Sequence, residues 1–165
     1  MVILGIDPGL ATIGYGLIKV GRKINGESAL KYLDCGLIET SPSFGHPERL
    51  QKINNDLSKL IKRYRPDFLA MENVFFFKNL KTALPVSRAE GVIMLTAAKN
   101  KLPVFTFTPL EVKMTITGFG RAEKEVLQKN IKKILKLKKL HKAPDASDAL
   151  GVALTLILRG LVKEG

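Results

Sequence analysis

The residues VILGID (Val2 to Asp7) form an apolar run that ends on an acid, and Pro8-Gly9 follow at once. The run is too short for an ordinary helix, and a Pro-Gly pair interrupts any regular structure, so it reads as a short buried strand. A second apolar run, IGYGLIKV (13–20), resumes directly, and a third, ALKYLDCGLIE (29–39), follows the polar turn at Asn25-Gly26. Three consecutive strands with short connections predict an antiparallel meander. The pattern then changes. Leu50, Ile53, Leu57, Leu60 and Ile61 recur at helical spacing between Pro47 and Tyr64, which predicts an amphipathic helix. PDFLAME (66–72) and LPVFTFT (102–108) read as further short strands. The helix expected over 79–99 has Leu84, Val86, Ala89, Val92, Ile93 and Leu95 as its apolar set. A short helix over 109–116, the Gly-hinged loop TGFGR, a helix over 122–137 burying Val126, Leu127, Ile131, Ile134 and Leu135, and a last helix from Asp145 to Leu161 complete the chain. A meander followed by alternating helices and strands predicts an α/β fold: a five-stranded mixed sheet with helices on both faces. At 165 residues the expectation is one domain spanning 1–165, long enough to bury a real core.

Charge narrows the partners. The net charge is +12, and residues 76–165 hold 17 basic against 7 acidic groups, leaving 10 against 8 in residues 1–75. A basic half of this kind points to a polyanion, nucleic acid ahead of a membrane surface, with a solvated Lys-rich surface as the alternative. No apolar stretch approaches the roughly 18 residues of a membrane span. Cys35, the single cysteine, cannot form an internal disulfide and suits a reducing compartment, so the expected location is cytoplasmic. With His46 and His141 the only histidines, a His/Cys zinc site is nearly excluded, and any metal would be held by carboxylates.

Four carboxylates fall where such a site could form. Asp7 closes the first strand and Glu72 the fourth; in an open α/β sheet, ligands bind beyond the strand ends. Asp7 is also ordinary chemistry for a Pro-Gly turn. Asp145 and Asp148 are three residues apart at a helix start and share one face. They equally fit an N-cap and an N3 acid. However, Ala149, Leu150, Val152, Ala153 and Leu156 make the rest of that helix apolar almost all round. A helix so buried has little reason to begin with two acids unless they face a cleft. Oxygen-only ligands favour Mg²⁺ or Mn²⁺, and two such ions can clamp the attacking and leaving oxygens of a phosphodiester.

Four segments in this order, GIDPGLATIGYG, MENVFFFKN, TITGFGRAEK and APDASDALGVAL, together resemble the RuvC family of Holliday-junction resolvases over essentially the whole chain. The resemblance implies a ribonuclease H-like fold and a homodimer that nicks opposing strands of a four-way DNA junction in recombination and repair, leaving 5′-phosphates. By matching positions, Asp7, Glu72, Asp145 and Asp148 would be the catalytic, metal-binding carboxylates, with two Mg²⁺ or Mn²⁺ ions per site. Phe75 matches the position that stacks on a base at the junction centre, although Phe76 and Phe77 stand beside it. Lys113 and Lys124 match basic positions linked to binding and catalysis, and Lys78 and Lys81 are further candidates for phosphate contacts. Glu90 departs from the pattern, standing where relatives would carry a basic residue. Association with a RuvA–RuvB branch-migration complex is a further implication. Besides a basic DNA-binding module without catalysis, which leaves the four acids unexplained, two rivals remain at this level: a RuvC-like nuclease acting on structured RNA, and an actin-like phosphotransferase. The second is disfavoured by the chain's length and by the lack of a GK[ST] loop.

Overall fold

The computed structural model describes residues 1–24, 27–73 and 80–162. Five strands, β1 (Val2–Asp7), β2 (Thr12–Ile24), β3 (Glu27–Glu39), β4 (Phe68–Glu72) and β5 (Val104–Phe107), form one sheet in the order β3-β2-β1-β4-β5. β1, β2 and β3 pair antiparallel, while β4 runs parallel to both β1 and β5. The meander and the mixed sheet are therefore as expected. Among the described residues five helices complete the fold: α1 (His46–Tyr64), α2 (Leu80–Lys99), α3 (Pro109–Thr117), α4 (Lys124–Ile134) and α5 (Pro144–Leu158). Among the described residues no helix is long and apolar enough to cross a membrane. The turn at Asn25-Gly26 lies outside the described residues.

The two-residue period of the strands sorts their side chains between two cores. Leu4, Ile6, Leu69 and Met71 join Ile53, Leu57 and Ile61 of α1 and Ala89, Ile93 and Ala97 of α2. Ile3 and Ala70, one step out of phase, join the opposite cluster with Val112 of α3, Leu127 and Ile131 of α4, and Leu150 and Leu154 of α5. Asp7 follows Ile3 and Gly5 in phase, and Glu72 follows Ala70. Alternation alone therefore assigns both acids to the face covered by α5.

Helix α5 lies unusually close to that face. A Cβ on Gly5 would fall 2.0 Å from the Ala149 carbonyl oxygen, and one on Gly14 would fall 2.0 Å from that of Asp145. At Gly16 it would fall 2.8 Å from the Leu150 side chain. Gly5 pairs with Gly16, and Gly14 with Asp7, across the β1–β2 ladder. The glycines thus form a trough without side chains, and α5, buried from Ala146 to Leu156 except at Asp148, sits in it. The Pro8-Gly9 turn puts Gly14 back beside Asp7.

Val126, expected to be buried, is exposed, and so are Leu84 and Leu95 of the apolar set of the helix expected over 79–99. In α4 the buried stripe runs Leu127, Ile131, Leu135 at four-residue steps, and Val126 lies about 100° away around the helix. In α2 the stripe is Ala89, Ile93, Ala97, which leaves Leu84 and Leu95 on the far side. The last two helices are also shorter than expected. Lys136 adopts a left-handed φ of 52° just beyond α4, and Gly160, at φ 62°, lies just beyond α5; such residues end helices.

Gly14→Ala should destabilise the fold by about 1–3 kcal/mol, the usual range for overpacking. It should also lift the N-terminus of α5 from β1, so that catalytic activity falls more than urea unfolding would suggest. Full activity in a variant of unchanged stability would show that the close approach has no functional role.

Candidate active site

Asp7 and Glu72 end adjacent parallel strands: Ile6 and Met71 are register partners, and the acids are the next residue on each. Across the trough, Pro144 occupies the first turn of α5 with Ala143 as its N-cap, a position suited to proline because it needs no N–H donor. Asp145 is therefore already inside the helix, and no side chain caps the end. The alternative in which the two aspartates serve as caps is overturned. Carboxylate oxygens of Asp7, Asp145 and Asp148 instead all lie within 4.8 Å of one another. Glu72 is not part of this close group; it lines the adjoining cleft together with Asp148.

Among the described residues two lysines reach the cleft. Lys124, the first residue of α4, donates to Asp148 Oδ2 at 2.7 Å. This ion pair places Lys124 within the acidic cluster, a role its spacing in the sequence did not reveal. Lys113 lines the cleft from α3 together with Pro109, Val112 and Leu127. The start of α3 is fixed by a capping box: the Thr108 hydroxyl accepts from the Glu111 N–H, and the Glu111 carboxylate accepts from the Thr108 N–H. That device is legible as T-P-L-E in the sequence, a signal the pattern reading passed over. Arg159 beyond α5 also binds Glu111 at 2.7 Å. Of the other candidates, Phe75 and Lys78 lie outside the described residues. Lys81 belongs to the first turn of α2, and its side chain lies outside them too.

The electrostatics follow from this crowding. Burial pushes Asp7 up to about 8, and Glu72, Asp148 and Asp145 reinforce the shift against the opposing charge of Lys124. Burial, followed by the charge of Asp148, raises Glu72 to about 7, with Lys124 and Lys113 opposing. Burial would lower Lys124, but its hydrogen bond to Asp148 and the attraction of the acids outweigh that and hold it above the ordinary lysine range. Carboxylates this short of positive charge favour either protons or a cation. A donor set made only of oxygen fits a hard divalent ion, and the residues present are therefore chemically suited to one. The cleft itself measures about 150 Å³, well below the roughly 300–1,000 Å³ of an enclosed small-molecule site. It suits ions and a phosphate group, with the remainder of a large substrate lying across the surface.

Comparison with known proteins places this geometry. The family model for the crossover junction endodeoxyribonuclease RuvC matches residues 3–156. The chain belongs to the RuvC family. Its relatives include the Caldicellulosiruptor saccharolyticus crossover junction endodeoxyribonuclease RuvC, 46% identical over 158 residues that cover 96% of this chain and 93% of the relative. The Thermus thermophilus RuvC structure superposes with a TM-score of 0.88 at 31% identity, covering 98% of this chain and 96% of that one. A structure of T. thermophilus RuvC in complex with Holliday junction substrate gives 0.86 at 28% identity, with the same coverage. The ribonuclease H-like fold is thus the RuvC fold, and the family carries dependence on a divalent metal.

The raised carboxyls make stability depend on pH. Asp7 and Glu72 bind protons more tightly folded than unfolded, where values near 3.8 and 4.5 apply. Metal-free protein should therefore lose stability as pH rises from about 4 to about 8. Thermal melts in a chelator should fall across that window, and Asp7→Asn should flatten the fall. A wild-type profile that rises over the same range would contradict the shared burial of these acids.

Proposed function

We propose that this protein is a metal-dependent endonuclease that resolves four-way DNA junctions by paired, symmetric nicks during recombination and repair. The observation that carries the reading is the close approach of Asp7, Asp145 and Asp148 in a chain of the RuvC family. A relative with the same fold was solved with a Holliday junction substrate, which supports four-way DNA as the partner here. Asp7, Glu72, Asp145 and Asp148 would hold two Mg²⁺ ions, with Mn²⁺ able to replace them. Such ions supply charge stabilisation at the attacking and leaving oxygens of a phosphodiester.

The chain's own residues prepare the site. Lys124 fixes the orientation of Asp148 through their ion pair. Lys113, which lines the same cleft as Glu72, offers a point charge on a flexible stem, suited to an incoming phosphate. The shallow cleft leaves the nucleic acid outside and admits only the scissile group. Phe75 completes the reading as the residue that stacks on an unpaired base, with Lys78 and Lys81 as phosphate contacts, 5′-phosphates as products and a RuvA–RuvB branch-migration complex as an associated assembly.

Asp7→Asn should retain junction binding and lose Mg²⁺-dependent cleavage by about 10²–10³-fold or more, the scale set by removing one charge-stabilising group. Gel-based cleavage of a synthetic junction reads this directly; a normal rate would remove Asp7 from the site.

Paired nicks on a two-fold junction need two active sites related by two-fold symmetry, so the working form is a homodimer. The exposed face of α2 supports this. Leu84, Arg88, Gly91, Met94, Leu95 and Ala98 lie open along it, and three of them are large apolar residues with about half or more of their surface exposed. Leu95→Asp should yield a monomer by sedimentation velocity and replace paired nicks with single ones. A variant that remains dimeric and still cuts in pairs would move the interface elsewhere.

A further inference from the structure

Between Glu125 and Asp145 the chain carries seven lysines, at 129, 132, 133, 136, 138, 139 and 142, and no acid. All seven are exposed, and none is among the ion pairs formed by the described residues. The segment is nonetheless well anchored. Leu127, Ile131 and Leu135 fasten α4 to the core, and Leu137 and Leu140 pack against the same cluster. The Lys136 and Leu137 N–H groups donate to the carbonyls of Lys133 and Lys132, which fixes the turn beyond α4. The lysines therefore project from a rigid surface.

A lysine-rich surface that serves heat stability does so through networks of ion pairs, and among the described residues these seven lysines form none. Lys132 and Lys133, in the last turn of α4, do favour the negative end of the helix dipole. That leaves Lys136, Lys138, Lys139 and Lys142 without an intramolecular reason, and Lys129 with only Glu125, four residues before it on α4, for support. Like charges at helical spacing repel, and a polyanion removes that repulsion. The surface also starts at the active site. Lys124 sits on Asp148 at one end of α4, and the segment returns to Asp145 at the other. At 1.5 Å per residue, Lys133 lies about 14 Å along the axis from Lys124, the length of about four base pairs at 3.4 Å each.

We propose that the lysine surface of α4 and the segment leading into α5 grips the phosphate backbone of a duplex arm adjoining the cut. The inference rests on the junction-cleavage reading and names where the substrate arm lies. The surface contributes binding and register, with no part in the chemistry.

The test is a variant carrying Lys132→Gln, Lys133→Gln, Lys136→Gln and Lys139→Gln, with the four Lys→Arg changes as its charge-preserving counterpart. Binding of a synthetic four-way junction is measured in chelator from low to high salt. The slope of log affinity against log salt should fall by up to about 0.9 for each lysine that meets a phosphate. KM for cleavage should rise while kcat at saturating junction is unchanged, and the Arg variant should restore both. An unchanged salt slope overturns the proposal, as does a reduced slope that the Arg variant fails to restore, since that would mark a folding defect. Binding of the wild type to phosphatidylglycerol vesicles that the Gln variant loses, with its DNA slope intact, overturns it in favour of a membrane surface. A wild type that binds through these lysines yet never cuts a junction refutes the cleavage reading, and with it the placing of the arm beside a cut, while an unchanged salt slope in a wild type that does cut refutes the lysine grip alone.

Discussion

The close approach of α5 to the β1–β2 ladder is the constraint on which the rest of the site depends. Gly5, Gly14 and Gly16 leave a trough in the sheet, and the backbone of Asp145 and Ala149 fills space that side chains would otherwise occupy. Any larger residue there would push the helix outward. Because the side chains of Asp145 and Asp148 ride on the first turns of α5, the depth of the helix sets their distance from Asp7. A packing feature of the hydrophobic layer thus decides a distance between charges.

Those charges are costly. Three aspartates converge within 4.8 Å in partly buried surroundings, and among the described residues Lys124 is the one cation that forms an ion pair with any of them, at Asp148. Burial and mutual repulsion raise Asp7 and Glu72 far above ordinary carboxyls. The fold tolerates this because its two apolar clusters, one on each side of the sheet, carry the stability. An acidic pit set in a chain of net charge +12 also has a directional consequence: the outer surface attracts a polyanion, while the pit itself favours cations.

Much of the fold was legible in the sequence because strands and helices differ in period. The alternation of VILGID and FLAME placed Asp7 and Glu72 at strand ends, and the spacing of Asp145 and Asp148 placed them on one helical face. Burial is the part that spacing leaves open. Leu84, Leu95 and Val126 are apolar and lie near helical spacing, but burial depends on which residues the neighbouring layer reaches. Only one stripe of α2 and one of α4 face the sheet. The capping alternative at Asp145 failed for a local reason: Pro144 takes the first helical position and moves the cap back to Ala143.

By itself the sequence determined the order of elements, the mixed sheet, the family, and the positions of the four acids along the chain. Each of these follows from local periodicity, turn chemistry or motif order. Only the tertiary structure decided that Asp7, Asp145 and Asp148 form the close group while Glu72 lines its edge, and that Lys124 belongs to Asp148. Asp7 and Asp145 are separated by most of the chain, and their distance is set by how deeply a helix settles into a glycine trough. Linear spacing carries no record of that depth.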